Sequence, residues 1–189
     1  YLCSEMAKSF ARVGCKVVIM DLRLHKAQQV EKEINKEGFN DTLSLVLDVS
    51  RKEDHYKALK EITNKFGTLD ILINGAGTNG STPFLEIEDE EWNGIMNSQI
   101  KGTFYGCQVF GEYMLKNKKG SIINISSASA SPPLSKAFTY SAAKAGIKNL
   151  TQNLGREWGI KGVRVNAIRP GFFPTEWSTL RKNETVRTE

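Results

Sequence analysis

The sequence contains no long apolar run. None of its 189 residues belongs to an uninterrupted apolar stretch of about 18 or more, the length that a membrane-spanning helix needs. With 40% hydrophobic and 25% charged residues, the composition is that of an ordinary globular protein. The chain is therefore predicted to form one folded domain, 1–189, with no membrane partner.

Cysteine and histidine are also scarce. The three cysteines, Cys3, Cys15 and Cys107, are odd in number, and no two of them have the spacing of metal ligands. Cys15 and Cys107 stand among apolar neighbours and are predicted to be small core residues. His25 and His55 lie in charged helical stretches, again without ligand spacing, so we expect no metal site. A reducing, cytoplasmic compartment fits this use of cysteine best.

Charge of one sign is not concentrated on any face. The net charge is +5 and the isoelectric point about 9.1, but most basic residues are scattered or alternate with acids. One short basic run, Lys116, Lys118 and Lys119, is predicted to be the last turn of a helix that Gly120 terminates. Nucleic acid is therefore not an expected partner.

The sequence does contain a regular alternation of strand and helix patterns. Five short apolar runs rich in β-branched residues are typical of buried parallel strands. They are KVVIM (16–20), TLSLVL (42–47), LDILIN (69–74), GSIINIS (120–126) and VRVNAI (163–168). Helical patterns lie at about 4–13, 24–37, 51–66, 89–117 and 139–158. The alternation predicts right-handed crossovers and a doubly wound parallel sheet in a three-layer α/β/α fold.

The first strand of such a sheet is absent from the sequence. The chain opens within a helix, and in the usual strand order 3-2-1-4-5-6 the first strand is central. Without it, the strands on either side would be unpaired and a slot would remain in the core. The polar C-terminal end likewise completes no core element. We therefore expect the sequence to be part of a longer chain.

A serine, a tyrosine and a lysine form the candidate catalytic group. Tyr140 and Lys144 lie one helical turn apart, and Ser127 lies thirteen residues before Tyr140, at the end of a predicted strand. A free phenol has a pKa of about 10, but a neighbouring ammonium stabilises the phenolate. A serine at the ligand-binding edge of the sheet could hold the oxygen of an alcohol or carbonyl. The group suits proton transfer to that oxygen, although a tyrosine and a lysine at this spacing also occur as an ordinary exposed pair.

These motifs together resemble the short-chain dehydrogenase/reductase family over essentially the whole chain. LDILINGAG (69–77) resembles the family's D-x-L-x-N-N-A-G segment, and VRVNAIRPGFFPTE (163–176) resembles its R-V-N-x-x-x-P-G segment. GSIINISS followed by YSAAKAG resembles its serine strand and Tyr-x-x-x-Lys helix. The resemblance implies a Rossmann-like fold and hydride transfer between a nicotinamide dinucleotide and a hydroxyl or ketone.

The same resemblance implies roles for individual residues. Ser127, Tyr140 and Lys144 would be catalytic, and Lys144 would also bind the nicotinamide ribose. Thr175 would contact the nicotinamide amide. The remaining cofactor contacts implied by the matching segments are Asn74, Gly75, Ala76, Tyr140, Pro170 and Gly171.

The sequence departs from the family pattern at three places. The glycine-rich loop that cradles the pyrophosphate could be present only at its last residues, where Cys3 would replace the final glycine. Gly75 stands where a second asparagine is usual. Gln99 takes the place of an asparagine on the long central helix. Its amide could hold a water that relays protons to Lys144, or could simply pack at a helix kink.

Two aspartates at strand ends concern cofactor choice. Asp21 directly follows KVVIM, where an acidic residue accepts hydrogen bonds from the adenosine ribose and repels a 2′-phosphate. This favours NAD over NADP, and Arg23, two residues later, would weaken the preference. Asp48 resembles the family's adenine-contacting aspartate. Either aspartate could instead serve the N-terminus of the helix that follows it.

The predicted function is oxidation of a hydroxyl or reduction of a ketone in a small molecule, such as a sugar acid or polyol. One alternative is a 3-oxoacyl thioester reductase, which would be expected to prefer NADPH. Another is a non-catalytic homologue that binds a dinucleotide or a protein. Arg169 could meet a substrate carboxylate or be exposed to solvent. The apolar residues of 89–117 and 139–158 exceed what one sheet face buries, so we expect a homodimer or homotetramer.

Overall fold

Five strands form two parallel sheets in the computed structural model, which describes residues 2–132 and 134–171. The strands are β1 (Val17–Asp21), β2 (Thr42–Val46), β3 (Ile71–Asn74), β4 (Gly120–Ile125) and β5 (Val163–Ile168). β1 pairs with β2, and the second sheet has the order β3-β4-β5, with every pairing parallel. Each strand begins and ends within two residues of the predicted run, because apolar runs are what the two sheets bury.

Helices connect the strands and precede β1. The α-helices in the described ranges are α1 (Leu2–Arg12), α2 (Leu24–Lys36), α3 (Lys52–Phe66), α4 (Asp89–Met96), α5 (Gly102–Lys116) and α6 (Phe138–Trp158). The predicted single helix 89–117 is divided, because a π-helical turn, Asn97–Lys101, lies between α4 and α5. Such turns widen a helix locally and are frequent at functional sites. None of the helices described is long and apolar enough to cross a bilayer.

Glycine ends one helix as predicted and has a different role at another. Gly67 follows α3 in a left-handed conformation, with φ of 79°. The prediction for Gly120 is wrong, because α5 ends before Lys118, which itself takes the left-handed conformation with φ of 52°. Gly120 begins β4 instead, and a Cβ there would overlap the side chain of Met114. Close packing against α5 therefore requires this glycine.

Alternate residues of β1 face opposite sides of its sheet. Val17 packs with Ile34 of α2 in a small core that also includes residues of α1. Val18 packs against a larger core, which contains Ile62 of α3 and Phe110 of α5. The two-stranded sheet therefore lies between α1 and α2 on one face and α3 on the other, the layered arrangement of a doubly wound fold.

A cavity of about 1120 Å³ lies between the two sheets. Residues of β1 and β3 line it, and no hydrogen-bonded pairing joins these two strands in the described part of the chain. This is the place where the sequence predicted a slot. The larger core passes beside the cavity, because α3 and α5 pack against each other and connect the two sheets. The cavity extends to the carboxyl ends of the strands, where Asp21, Gly75 and Ala76 contribute to its wall.

Candidate active site

The exit of β4 is joined to the exit of β5. Beyond the last paired residues, the Ser126 N–H donates to the Ile168 carbonyl and the Ala128 N–H donates to the Pro170 carbonyl, each at 2.9 Å. Both strands run in parallel, so their carboxyl ends reach the same edge of the sheet. Ser127 therefore lies at this edge, between two residues whose backbone is fixed.

The hydroxyl of Ser127 has its acceptor positions filled. Ser127 precedes the 3₁₀ turn Ala128–Ala130, and its Oγ accepts a hydrogen bond from the Ser129 N–H at 3.2 Å. The Ser129 hydroxyl also donates to it, at 3.0 Å. A hydroxyl has one hydrogen and two lone pairs, so the Ser127 hydrogen remains to be donated. The geometry suits a ligand oxygen that accepts from Ser127.

Lys144 is buried beneath Tyr140 in α6. Its side chain is 4% exposed, and its Nζ donates to the Ile125 carbonyl at 2.6 Å and lies 5.4 Å from the centre of the Tyr140 ring. The Ser126 hydroxyl donates to the Lys144 carbonyl at 2.8 Å, which ties this turn of α6 to the end of β4. Burial lowers the pKa of Lys144 to about 8. Tyr140 itself is half-buried, and its hydroxyl has no hydrogen-bond partner among the described residues.

A chain of buried amides supports this edge from below. Asn74 at the end of β3 donates to Asn124 Oδ1 at 2.9 Å, and Asn124 Nδ2 donates to the Thr151 hydroxyl of α6 at 2.9 Å. Asn124 is completely buried. A Cβ at Gly106 of α5 would overlap the Asn74 amide, so the helix approaches closely at this point. The Asn74 amide is thus directed toward Asn124, and Asn74 also lines the cavity.

Gln99 lies in the π-helical turn and contacts the segment after β3. Its Nε2 donates to the Thr78 carbonyl at 2.7 Å, while its Oε1 is buried without a partner in the described residues. Gly77 has φ of 157°, and a Cβ there would overlap the Gln99 side chain. Ser98 adds a second contact, because its Oγ accepts from the Thr78 N–H at 3.2 Å. Gln99 therefore packs at a helix irregularity, as one of the two expectations has it, and the role of its Oε1 in holding a water stays a prediction.

Asp21 and Asp48 lie at neighbouring strand ends, away from Ser127 and Tyr140. Asp21 is the last residue of β1, and its Oδ1 accepts from the Arg23 N–H at 2.9 Å. Asp48 follows β2, and its Oδ1 accepts from the Ser50 N–H at 2.9 Å and the Ser50 hydroxyl at 2.7 Å. These bonds with Ser50 hold the pKa of Asp48 below its usual range. Each aspartate thus shapes the turn before a helix with one carboxylate oxygen.

The segment after β3 forms part of the cavity wall. A Cβ at Gly75 would overlap Cys3 Sγ and would come within 3.2 Å of Ile125 Cγ1. Gly75 and Ala76 line the cavity, and Pro170 and Gly171 follow β5 at the same edge. Thr175 lies outside the described residues.

The residues present fit a dinucleotide. The backbone at Gly75 and Gly77 has no room for a side chain, so the edge of the groove is formed by main chain, as close contact with an extended ligand requires. Asp21 lines the cavity at one end, and one of its carboxylate oxygens is not used by the turn that begins at Arg23. The first turn of α1, which contains Cys3, faces the same cavity.

Arg169 connects the serine loop to the end of β5. Its Nε donates to the Ser127 carbonyl at 3.2 Å, and one terminal nitrogen donates to the Ala128 carbonyl at 3.3 Å and the Ser131 hydroxyl at 3.0 Å. Arg169 is exposed, in line with one of the two expectations, but these three bonds fix the loop.

Several polar residues that build this site were not predicted from the sequence. Asn124 could have been found, because it is the one polar side chain within the apolar run of β4 between Ser121 and Ser126. Ser98 and Ser129 left no comparable signal, since their bonds depend on how distant segments meet.

Comparison with known proteins agrees with these features. The chain matches the family described as short chain dehydrogenase over residues 2–185. It is 38% identical to the uncharacterized oxidoreductase UxuB of Bacillus subtilis (strain 168), over 93% of this chain and 68% of the relative. It is 33% identical to an (S)-acetoin-forming diacetyl reductase of Staphylococcus epidermidis, over 97% of this chain and 72% of the relative. The crystal structure of a gluconate 5-dehydrogenase from Burkholderia cenocepacia J2315, in complex with NADP and tartrate, superposes with a TM-score of 0.85 at 28% identity, over 93% of this chain and 68% of that one.

The chain belongs to the short chain dehydrogenase family. It is an oxidoreductase of the class that interconverts hydroxyl and carbonyl groups with NAD or NADP, and it has the Rossmann-like α/β fold of its relatives. The predicted family, fold class and enzyme class are confirmed.

Proposed function

We propose that the chain is an NAD-preferring dehydrogenase in which Ser127, Tyr140 and Lys144 are the catalytic residues. The observation that supports this most directly is a buried ammonium beside a phenol, with Lys144 Nζ 5.4 Å from the centre of the Tyr140 ring. Lysine is almost never fully buried without a partner. Here its partners are one carbonyl oxygen and the face of Tyr140, so its charge acts on the tyrosine.

Each of the three side chains has a distinct task. Ser127 donates its hydrogen to the substrate oxygen, because its own acceptor positions are occupied. Tyr140 gives a proton to that oxygen or takes one from it, and Lys144 stabilises the phenolate form. When bound, the nicotinamide supplies or accepts the hydride.

Gln99 is proposed as a link between Lys144 and solvent. Its buried Oε1 lacks a partner in the described residues, and a buried acceptor of this kind is normally satisfied by a water. A water held there would give Lys144 a path for replacing the proton it passes to Tyr140. We propose cofactor contacts for ten residues, which are Asp21, Asp48, Asn74, Gly75, Ala76, Tyr140, Lys144, Pro170, Gly171 and, outside the described residues, Thr175.

The preference for NAD depends on Asp21. Its second carboxylate oxygen is not used by the turn that begins at Arg23, so it can accept from a ribose hydroxyl and repel a 2′-phosphate. Arg23 Nε lies 3.8 Å from the same carboxylate, which reduces but does not cancel the charge. The gluconate 5-dehydrogenase structure contains NADP, so the preference requires a direct test.

That test replaces Asp21 with Asn, which keeps an acceptor for the Arg23 N–H and removes the charge. We expect the ratio of kcat/KM for NAD to that for NADP to fall about tenfold or more, since the repulsion of the 2′-phosphate is lost. Asp41→Asn, at an exposed aspartate before β2, is the control. An unchanged ratio in Asp21→Asn would contradict the assignment.

The substrate is proposed to be a small hydroxy or keto compound, such as a sugar acid or polyol. The similarity to a gluconate 5-dehydrogenase with bound tartrate supports this choice. The 3-oxoacyl thioester reductase is less well supported, because Asp21 opposes NADPH. Near Tyr140, Phe84 and Phe138 stack edge to face at 5.2 Å and are both exposed, so the entrance also has an apolar side.

The experiment is a spectrophotometric screen of the full-length chain with NAD and NADP over sugar acids, polyols, diketones and oxoacyl thioesters. Tyr140→Phe should reduce kcat about a thousandfold while leaving dinucleotide binding unchanged, because only the mobile proton is removed. Tyr56→Phe, at an exposed tyrosine of α3, is the matched control. Full activity of Tyr140→Phe would refute the mechanism. Dinucleotide binding without turnover of any substrate would favour the non-catalytic alternative.

Self-association and a cytoplasmic location are further proposals. Trp92 of α4 and Phe104 of α5 are 43% and 41% exposed, which supports a homodimer or homotetramer that covers this face. Light scattering of the full-length chain tests this, and a monomer at all concentrations would contradict it.

A further inference from the structure

His55 is a buried polar residue that the proposed chemistry does not use. It lies in α3 with 1% of its surface exposed, and it lines the cavity between the two sheets. Its Nε2 lies 3.0 Å from the carbonyl oxygen of Val49. Because a carbonyl can only accept, Nε2 carries the hydrogen and Nδ1 is the unprotonated nitrogen. Nδ1 is buried without a hydrogen-bond partner in the part of the chain described.

The surroundings favour the neutral form of this imidazole. Burial lowers the pKa of His55, and the hydrogen bond to Val49 opposes this only in part. The ring meets the rings of Phe110 and Tyr105 of α5 edge to face, at centroid distances of 5.8 Å and 6.2 Å. Protonation would place a hydrogen on Nδ1, for which the described residues offer no acceptor. His55 is therefore a fixed donor to the Val49 carbonyl.

The turn that contains Val49 is fixed from its other sides as well. A Cβ at Gly102 of α5 would come within 2.8 Å of Val49 Cγ2, so the Val49 side chain packs directly on that helix. Asp48 accepts two hydrogen bonds from Ser50. His55 adds a hydrogen bond to the Val49 carbonyl from the side of the core.

This turn continues the cavity wall that begins at Asp21. The Leu47 N–H donates to the Asp21 carbonyl at 3.1 Å, so the chain leaves β2 directly beside Asp21. Val49, His55 and Gly102 line the same cavity as Asp21. The turn 48–50 is therefore within reach of the base of a ligand whose ribose is held at Asp21.

We infer that His55 is a positioning residue for the adenine end of the dinucleotide, because its Nε2–H holds the Val49 carbonyl and hence the turn 48–50 that receives the base. The inference rests on the proposed function, which places the adenosine ribose at Asp21. The sequence contained a signal for it, since His55, Ala58 and Ile62 have the spacing of an inward helix face.

The test separates the donor from the bulk of the ring. His55→Leu fills a similar volume without a donor, whereas His55→Gln places an amide N–H near the position of Nε2. In the full-length chain we expect His55→Leu to raise the Kd for ADP-ribose and the KM for the dinucleotide about tenfold, with kcat within about twofold of the parent. His55→Gln should restore both constants to within about twofold. Nicotinamide mononucleotide, which lacks adenine, should bind to all three proteins alike.

Several results would overturn the inference. One is an equal Kd for ADP-ribose in the parent and in His55→Leu. Another is a Kd for ADP-ribose in His55→Gln as high as that in His55→Leu. The third is a decrease in kcat of His55→Leu without a change in either binding constant. If the parent itself does not bind ADP-ribose, the proposed function is wrong. If the parent binds ADP-ribose and His55→Leu binds it equally well, only the role of His55 is wrong.

A measurement on the unmodified chain keeps the inference testable if the variants do not fold. The chain has two histidines, and His25 is exposed, so their imidazole ¹⁵N resonances can be assigned readily. We expect His55 to show the neutral Nε2–H tautomer, because its Nε2 faces the Val49 carbonyl oxygen. Saturation with ADP-ribose should shift the His55 resonances. An Nδ1–H tautomer, or no shift on saturation, would overturn the inference.

Discussion

The β3–β5 half of the molecule, with α5 and α6, holds several polar side chains in its interior, whereas the described residues of the β1–β2 half, with α1 and α2, hold one, Thr42. Asn124 and Lys144 are buried in the first half. In the second half, Arg12 donates two hydrogen bonds of 2.7 Å to Glu37 at the surface. Proton transfer needs groups that are fixed and shielded from water, while exposed ion pairs contribute little. Buried polar side chains are therefore concentrated around the candidate active site. Four substitutions test this contrast between the two halves.

Replacing Lys144 should have the largest effect. Lys144→Met should lower kcat about a hundredfold or more, because the phenolate of Tyr140 loses its neighbouring charge. It should also change how stability depends on pH. Burial lowers the pKa of Lys144 to about 8 from 10.5, so the folded state binds fewer protons between these values and the parent becomes more stable as pH rises.

Between pH 7 and pH 9.5, the titration of Lys144 should raise the free energy of unfolding of the parent by about 2 kcal/mol. Urea unfolding at the two pH values should show a larger gain in the parent than in Lys144→Met. Lys148→Met, one turn further along α6, is the control and should behave as the parent. Equal pH dependence in the parent and Lys144→Met would mean that Lys144 is not the titrating group.

Replacing Asn124 should have the next largest effect. Asn124→Leu has a similar volume but leaves the Asn74 amide without its 2.9 Å acceptor in the protein interior. The free energy of unfolding should fall by about 3 kcal/mol, measured by urea denaturation. The double variant with Asn74→Leu should lose less than the sum of the two single losses, because they remove the same bond. Strict additivity would contradict the network.

Arg169 should show a smaller, kinetic effect. Arg169→Met removes three hydrogen bonds to the loop of Ser127. We expect kcat to fall about tenfold while the KM for the dinucleotide stays within about twofold, because the loop positions a donor to the substrate. Arg164→Met, at an exposed arginine within β5, should change neither constant. A rise in dinucleotide KM alone would place Arg169 in cofactor binding.

The smallest effect is expected at the surface of the β1–β2 half. Glu37→Gln weakens the ion pair with Arg12, but both side chains are in contact with water. The urea midpoint should stay within experimental error of the parent. A loss of stability as large as that expected for Asn124→Leu would show that the two halves do not differ in this way.

The sequence was sufficient for the strands, the fold class and the contact between Tyr140 and Lys144, whereas the approach of Ser127 to this pair stays a prediction. These features follow from short-range patterns, since apolar runs predict β3 and β4 and a spacing of four places Tyr140 above Lys144. The gap between β1 and β3 was also predictable, because the usual strand order of a doubly wound sheet has another strand between these two.

The remaining features depend on contacts between distant segments. The burial of His55 and the bonds of Arg169 arise only when α3 meets α5 and β5 meets the serine loop. The left-handed turn at Lys118 was missed because glycine is the usual choice there. The π-helical turn at 97–101 has no sequence signature in an otherwise regular helical pattern.

The two bonds that Ser129 gives to Ser127 have a consequence for inhibitor design. With both lone pairs engaged, Ser127 Oγ attracts oxygen or fluorine acceptors and rejects N–H groups. Inhibitors that present a carbonyl or sulfoxide oxygen at this point should therefore bind better than those that present an ammonium group in place of a hydroxyl.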